Sequence, residues 1–127
     1  MGTAVRDLWP ATITATSDLV TPVALLKEQA ALLGEKTQNL VVAEVSSRAG
    51  GTIFYHNFNL VAPALEGYRY NLFTLQHNID LYPVTLMTFG SVLTIQSQEE
   101  LIERLREALS DERTTKVIKS LIAQVSQ

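Results

Sequence analysis

The chain of 127 residues contains no cysteine. Disulfide bonds, thiolate metal ligands and thiol nucleophiles are therefore excluded together. The fold must depend on a packed core, and by size scaling a chain of this length buries roughly two thirds of the surface that its unfolded form exposes. No Pro-, Gly- or Ser-rich linker and no shift in composition divides the chain, so we predict a single domain over residues 1–127.

Charge is nearly missing from the middle of the chain. Between Gly50 and Gln96 the only charged residues are Glu66, Arg69 and Asp80. The same stretch is crowded with aromatic, β-branched and amide residues, and the first two of these types favour strands. A sheet built from it has little that requires bulk water, so we expect both of its faces to be covered by helices, by a second subunit or by a ligand.

An excess of positive charge is also missing. Ten Lys and Arg face thirteen Asp and Glu, the formal net charge is -3, and no basic cluster occurs. The long-range field that attracts a phosphate backbone is absent, so we do not expect a nucleic acid partner. No long apolar run is present and the N-terminus has no apolar signal region, so we expect no membrane segment and a cytoplasmic protein.

The N-terminal part of the chain predicts one helix. Thr21 can cap the free amides of a helix, and Pro22 fits the first turn without losing a needed donor. Apolar residues follow at helical spacing, and Gly34 lies where a left-handed residue often ends a helix. Residues 1–20 are less regular, and a weak alternation between 11 and 17 predicts a short edge strand or an extended arm.

The centre of the chain predicts an antiparallel meander of four to five strands. Leu40–Ser47 and Thr52–Ala62 are strand-like, and the residues Ala49-Gly50-Gly51 between them predict a hairpin turn. The predicted core face of the second strand consists of Phe54, His56, Phe58 and Leu60.

Further strands are predicted at Tyr68–Ile79, Val84–Phe89 and Val92–Gln96. Pro83 indicates a strand beginning or an edge position. Strict alternation in the third strand places Tyr68, Tyr70, Leu72 and Thr74 opposite Arg69, Asn71, Phe73, Leu75 and His77.

The C-terminal part changes character, because eleven of the twenty-three charges fall in Glu99–Lys119. Ser97 and Glu100 match a capping box, and Ser110 or Asp111 can cap a second helix. Both helices carry an apolar stripe, and the sheet is the surface available to cover it. The fold class that follows is α+β: an N-terminal helix, an antiparallel meander and two C-terminal amphipathic helices packed on the sheet.

The two histidines, His56 and His77, fall on predicted strands. With Asp80 or Glu44 they would form a metal site, but they lack a short fixed spacing, so we favour histidines hydrogen-bonded to strand neighbours and predict no metal. No Gly-x-Ser-x-Gly elbow and no phosphate loop occurs, so we predict no catalytic residue and no cofactor.

A group of tyrosine and asparagine side chains has two interpretations. It could line one mouth of the sheet as a ligand pocket does, or it could be ordinary cross-strand pairing, which we favour. The group consists of Tyr55, Asn57, Asn59, Tyr68, Tyr70 and Asn71.

The functional hypothesis rests on the uncharged sheet. Three helices are too few to cover both faces, so we expect a small non-enzymatic interaction or regulatory module that acts as a homodimer and possesses a protein-binding surface. The alternative is a small-ligand binding protein or enzyme with a pocket between sheet and helices. The ligand-binding residues of that alternative are Tyr55, His56, Tyr70 and His77.

Overall fold

The computed structural model describes residues 6–126, and within them it confirms the α+β fold. Five strands form one antiparallel sheet in the order β1-β2-β3-β4-β5, preceded by one helix and followed by two. The elements are α1 Pro22–Lys36, β1 Val42–Gly50, β2 Ile53–Ala62, a short 3₁₀ turn Pro63–Leu65, β3 Tyr68–His77, β4 Val84–Thr88, β5 Ser91–Ile95, α2 Gln98–Ser110 and α3 Glu112–Val125.

Helix α1 begins as predicted and ends two residues later than Gly34. The Thr21 side chain accepts a hydrogen bond from the amide of Ala24 at 3.2 Å, and Pro22 occupies the first turn. Gly34 is helical and buried, and the left-handed conformation is adopted beyond the helix by residues 38 and 39. A Cβ atom on Gly34 would lie 3.0 Å from Oδ1 of Asn39, so this glycine permits a close approach and does not end the helix.

The β1–β2 hairpin is confirmed, with its turn one residue beyond the predicted position. Strand β1 continues to Gly50, and Gly51 adopts a φ of +65° at the turn. The register that follows pairs Gly50 with Ile53 and Ser47 with His56. Pro63 then closes β2 and starts the 3₁₀ turn that leads to β3.

Strand β3 does not alternate strictly. Its register against β2 shifts between Phe58 and Asn59, so that Phe58 pairs with Phe73 while Asn59 pairs with Asn71. Leu72 is the extra residue of this β-bulge, and both it and Phe73 are buried. The predicted division of β3 is therefore wrong beyond residue 72, because a bulge interrupts the period of two.

The two C-terminal helices are capped as predicted. Ser97 accepts from the amide of Glu100 at 3.2 Å, and Asp111 accepts from the amide of Arg113 at 2.8 Å. Between the helices, the buried Thr114 hydroxyl donates to the carbonyl of Ala108 at 2.7 Å, which fixes the bend. The apolar stripes of both helices pack on the sheet as predicted.

All three helices contribute to one core, on one face of the sheet, which we call the helix face. From the helices come Leu26, Leu101, Leu105 and Leu121, which are at most 4% exposed. From the sheet come Phe58, Leu60, Ala62, Leu72, Phe73, Leu75, Val84, Leu86 and Ile95.

The opposite face of the sheet, which we call the open face, takes no part in that core. Two complete cross-strand rows define it, and they are polar or weakly apolar but contain one charge, Arg48. The rows are Arg48, Tyr55, Gln76, Thr85 and Thr94, and Ser46, Asn57, Thr74, Met87 and Val92. The helices therefore cover one face of the sheet, as expected from their small number.

The N-terminal segment forms no strand over its described residues 6–20. Its side chains are exposed, and the large apolar ones include Leu8 at 83%, Trp9 at 74% and Ile13 at 61%. Residues 11–17 are therefore not part of the five-stranded sheet. At the other side of the sheet, β4 begins directly after Pro83 and is paired on both sides, so Pro83 marks a strand beginning and not an edge.

Candidate functional site

The four residues predicted to bind a ligand lie in three places. His56 and His77 lie together on the helix face, with 6% and 7% of their surface exposed. Tyr55 lies on the open face, and Tyr70 lies on the helix face, where Arg113 Nη2 donates to its hydroxyl at 3.0 Å. The four therefore do not form one cluster, and the histidine pair is the compact one.

The bulge in β3 is what brings the two histidines together. His56 pairs with Leu75, and His77 pairs with Phe54, so the two imidazoles are diagonal neighbours on one face. Their rings stack at 5.0 Å between centroids, and Phe54 stacks on the other side of His77 at 5.5 Å. Without the extra residue Leu72, His77 would share a face with Arg69 and Asn71 and would be separated from Tyr70.

The histidines belong to a continuous chain of hydrogen bonds. Ser47 Oγ lies 2.7 Å from His56 Nδ1, His56 Nε2 lies 2.9 Å from His77 Nε2, and His77 Nδ1 lies 2.7 Å from the carbonyl oxygen of Asn78. The chain crosses three strands, β1 to β3. It begins at the hydroxyl of an exposed serine and ends at a backbone carbonyl.

The carbonyl of Asn78 assigns the protons along this chain when both imidazoles are neutral. Because a carbonyl only accepts, His77 Nδ1 carries a proton and donates it, which leaves His77 Nε2 as an acceptor. His56 Nε2 must then carry the proton that it donates to His77. The remaining ring nitrogen, His56 Nδ1, has a free lone pair and accepts from the Ser47 hydroxyl.

The surroundings of His56 favour its neutral form. Burial lowers the pKa of His56 from its ordinary value of 6.5, and the charges of His77 and of Lys27 on α1 lower it further. Burial acts in this direction because transfer of an imidazolium out of water is unfavourable. The neutral imidazole of His56 is therefore favoured at pH 7, with a lone pair on Nδ1 that accepts from Ser47.

A metal centre would need further ligands beside the two histidines. Glu44, one of the two carboxylates considered, forms an ion pair with Arg69 on the other face of the sheet. Over residues 6–126 the structure forms no group of three or more His, Asp or Glu side chains that could hold a metal ion. The geometry around the pair is that of hydrogen-bonded imidazoles.

The group of tyrosines and asparagines is divided between the two faces. On the open face, Thr74 donates to Asn57 Oδ1 at 2.8 Å and Asn71 donates to Asn59 Oδ1 at 3.0 Å. The guanidinium carbon of Arg48 lies 4.2 Å from the centre of the Tyr55 ring. These contacts are cross-strand pairs, whereas Tyr68 and Tyr70 lie on the helix face.

Tyr70 opens onto a groove between the sheet and α3. The groove has a volume of about 490 Å³. Arg113 and Lys116 bring positive charge to it, while its walls are largely apolar and contain no carboxylate. The lining residues from the sheet side are Leu65, Tyr68 and Tyr70, and those from α3 include Val117, Leu121 and Gln124.

Comparisons with known proteins give no relative for this arrangement. No protein-family model matches the chain, and neither a curated protein nor a solved structure matches it. Among residues 6–126, no helix is both long enough and apolar enough to cross a bilayer.

Sequence reasoning did not single out Ser47, although a signal for it existed. A two-residue turn at positions 51 and 52 pairs residue 47 with residue 56, so the hairpin register places a hydroxyl opposite His56. The contact of His56 with His77 has no such local signal, because it depends on the bulge between β2 and β3, which no turn residue indicates.

Proposed function

We propose that this protein is a cytoplasmic interaction or regulatory module that acts as a homodimer through the open face of its sheet. The observation that supports this is the pair of cross-strand rows in which Arg48 is the one charge. An interface core is typically depleted of charge, and covering these rows requires almost no charge to leave water.

The distribution of charge on the open face also fits a symmetric interface. Arg48 and Glu44 lie on the edge strand β1, and Arg69 lies beside Glu44. Charges of both signs are thus at the margin, as in the polar rim of an interface. A two-fold axis brings the same patch of both copies together, so a neutral centre with a mixed rim is compatible with itself.

The available area is close to what a stable dimer needs. Five strands at about 4.8 Å spacing and about 3.3 Å per residue give an open face of roughly 600 Å², compared with about 800 Å² per partner in a standard interface. A second copy is therefore the occupant that we assign to this face.

Sedimentation over a wide concentration range tests the proposal. We expect the wild type to exceed its monomer mass of 14.0 kDa, and Thr85→Lys or Met87→Lys to weaken association at least tenfold. Thr115→Lys, on the exposed surface of α3, is the matched control and should associate like the wild type. A monomer mass at every concentration, or equal association of all variants, would refute dimerisation through this face.

A second candidate function is the binding of a small amphiphilic anion in the groove beside Tyr70. Arg113 and Lys116 supply two positive charges next to apolar walls, and such a combination of apolar surface with a few polar groups is typical of ligand sites.

The aromatic sulfonate anilinonaphthalene sulfonate is a suitable probe of that groove. We expect Arg113→Gln to weaken its binding at least fivefold, whereas Lys119→Gln, on the same helix but outside the groove, should leave binding unchanged. Equal binding by both variants would exclude the groove as the anion site.

A further inference from the structure

The hydrogen-bonded series Ser47–His56–His77 has a property that the proposed dimerisation does not use. Its outer end is the hydroxyl of Ser47, an exposed residue on the edge strand β1, and its inner end is a buried imidazole pair. A hydroxyl bonded to a base, with the base oriented by a third group, is the geometry of an activated nucleophile. The 2.7 Å separation of Ser47 Oγ and His56 Nδ1 is within reach of direct proton transfer.

The direction of the hydrogen bonds matches that role. His56 Nδ1 faces the serine with a free lone pair because the Asn78 carbonyl dictates the tautomers of both rings. After the serine proton has moved to Nδ1, the His56 imidazolium still donates its Nε2 proton to Nε2 of His77. His77 in turn still donates its Nδ1 proton to the carbonyl of Asn78. No ring has to turn and no second proton has to move.

We propose that Ser47 is a nucleophile for small activated esters, with His56 as its general base and His77 as a positioning residue. Ser47 Oγ attacks the ester carbonyl carbon, and its proton passes to His56 Nδ1. The bond from carbonyl carbon to alkoxy oxygen breaks, and the leaving alcohol takes the proton from His56. Water then attacks the acyl-serine, giving the carboxylic acid and restoring the hydroxyl.

The two ends of this series of hydrogen bonds differ in their exposure to solvent. Ser47 is exposed at the edge of the sheet, so an ester can reach it, while burial and the neighbouring Lys27 keep His56 neutral. Ser47 belongs to the helix-face row of His56, so a partner on the open face would not cover it. The nucleophile and the dimer proposal therefore stand or fall separately.

The adjacent serine is a matched control. Ser46 is also exposed, but it belongs to the open-face row and pairs with Asn57, not with a histidine. With p-nitrophenyl acetate as the acyl donor, we expect intact-mass and peptide analysis to find one acetyl group on Ser47. Ser46→Ala should acetylate at the wild-type rate, and Ser47→Ala should lose the adduct.

The roles of the two histidines are tested by the rate of acetylation. His56→Gln should slow it at least tenfold, His77→Leu should slow it, and His77→Gln, which keeps an acceptor, should restore part of the rate. The wild-type rate should rise with pH and reach half its maximum below pH 6.5. Absence of the adduct from folded wild type, equal acetylation of Ser46 and Ser47, or a rate independent of pH would overturn the proposal. Because Ser46→Ala and Ser47→Ala alter surface residues, this result does not depend on whether the histidine variants fold.

Discussion

The two faces of the sheet are both poor in charge, but for different physical reasons. On the helix face the central side chains are mostly apolar and buried beneath three helices, with Phe58 and Leu60 at most 1% exposed. On the open face they are polar and paired across strands, as Asn57 is with Thr74. Absence of charge therefore does not by itself indicate burial: one face avoids charge because it is the core, and the other provides a neutral surface that a partner can cover without desolvating ions.

The largest contrast is expected from truncating one aromatic residue on each face of β2. Phe58 is 1% exposed and stacks on Phe73 at 4.9 Å, so Phe58→Ala should reduce the free energy of unfolding by about 3 to 5 kcal/mol. Tyr55→Ala removes a half-buried ring and its contact with Arg48, and should cost about 1 kcal/mol. Urea denaturation measures both, and equal losses would break the distinction between the faces.

The second-largest loss of stability is expected at the turn of the β1–β2 hairpin. The register of this hairpin decides which side chains of β1 and β2 share a face. Gly51 has a φ of +65° and nothing within 4 Å of the position of a Cβ atom, so Gly51→Val would be strained by its backbone and not by a clash. We expect a loss of stability of about 1 kcal/mol or more. Gly50→Ala, with only ordinary contacts to Arg48 and Tyr55, is the control for losing a glycine. Equal stability of Gly51→Val and the wild type would contradict the assigned turn.

The buried imidazole of His56 should make the free energy of unfolding depend on pH. The folded-state pKa of His56 is lowered from 6.5 by burial, so the unfolded chain binds a proton at higher pH than the folded one. Its contribution to stability is full above pH 6.5 and falls as the pH drops from 6.5 towards the lowered folded value. Thermal unfolding between pH 7.5 and 5 should show this loss, and His56→Gln should flatten it. An equal slope in both proteins would show that His56 is not responsible.

The smallest effect is expected from the ion pair of Glu44 and Arg69 on the open face. Their side chains are 46% and 57% exposed, so Glu44→Gln should cost about 0.2 to 1 kcal/mol in monomer stability. Added salt should remove most of this difference, because an exposed pair is screened. A larger, salt-resistant loss would indicate that this part of the face is already buried in a partner.

Much of the fold follows from local signals in the sequence. Caps at Thr21, Ser97 and Asp111 were readable because a short polar side chain before an apolar periodic run satisfies free amides within three residues. The hairpin was readable because its turn needs a residue that tolerates positive φ. The end of α1 was not, since Gly34 serves a close contact with Asn39 that only the folded loop creates.

The candidate site was readable only in part. His56 was placed on the core face correctly, because β2 alternates without interruption. His77 was placed by strict alternation, which the bulge at Leu72 invalidates for every residue that follows in β3. Tyr55 and Tyr70 came from the same pattern of aromatic residues but lie on opposite faces, because composition does not specify orientation.

The sequence by itself determined the elements, their order and the scarcity of charge in the sheet, since these depend on contacts within a few residues or on composition alone. Only the tertiary structure decided that all three helices lie on one face, that Leu72 and Phe73 are both buried, and that Ser47, His56 and His77 meet. The physical reason is that a β-bulge is favourable only when the core has room for both side chains, and that room is formed by helices distant in sequence.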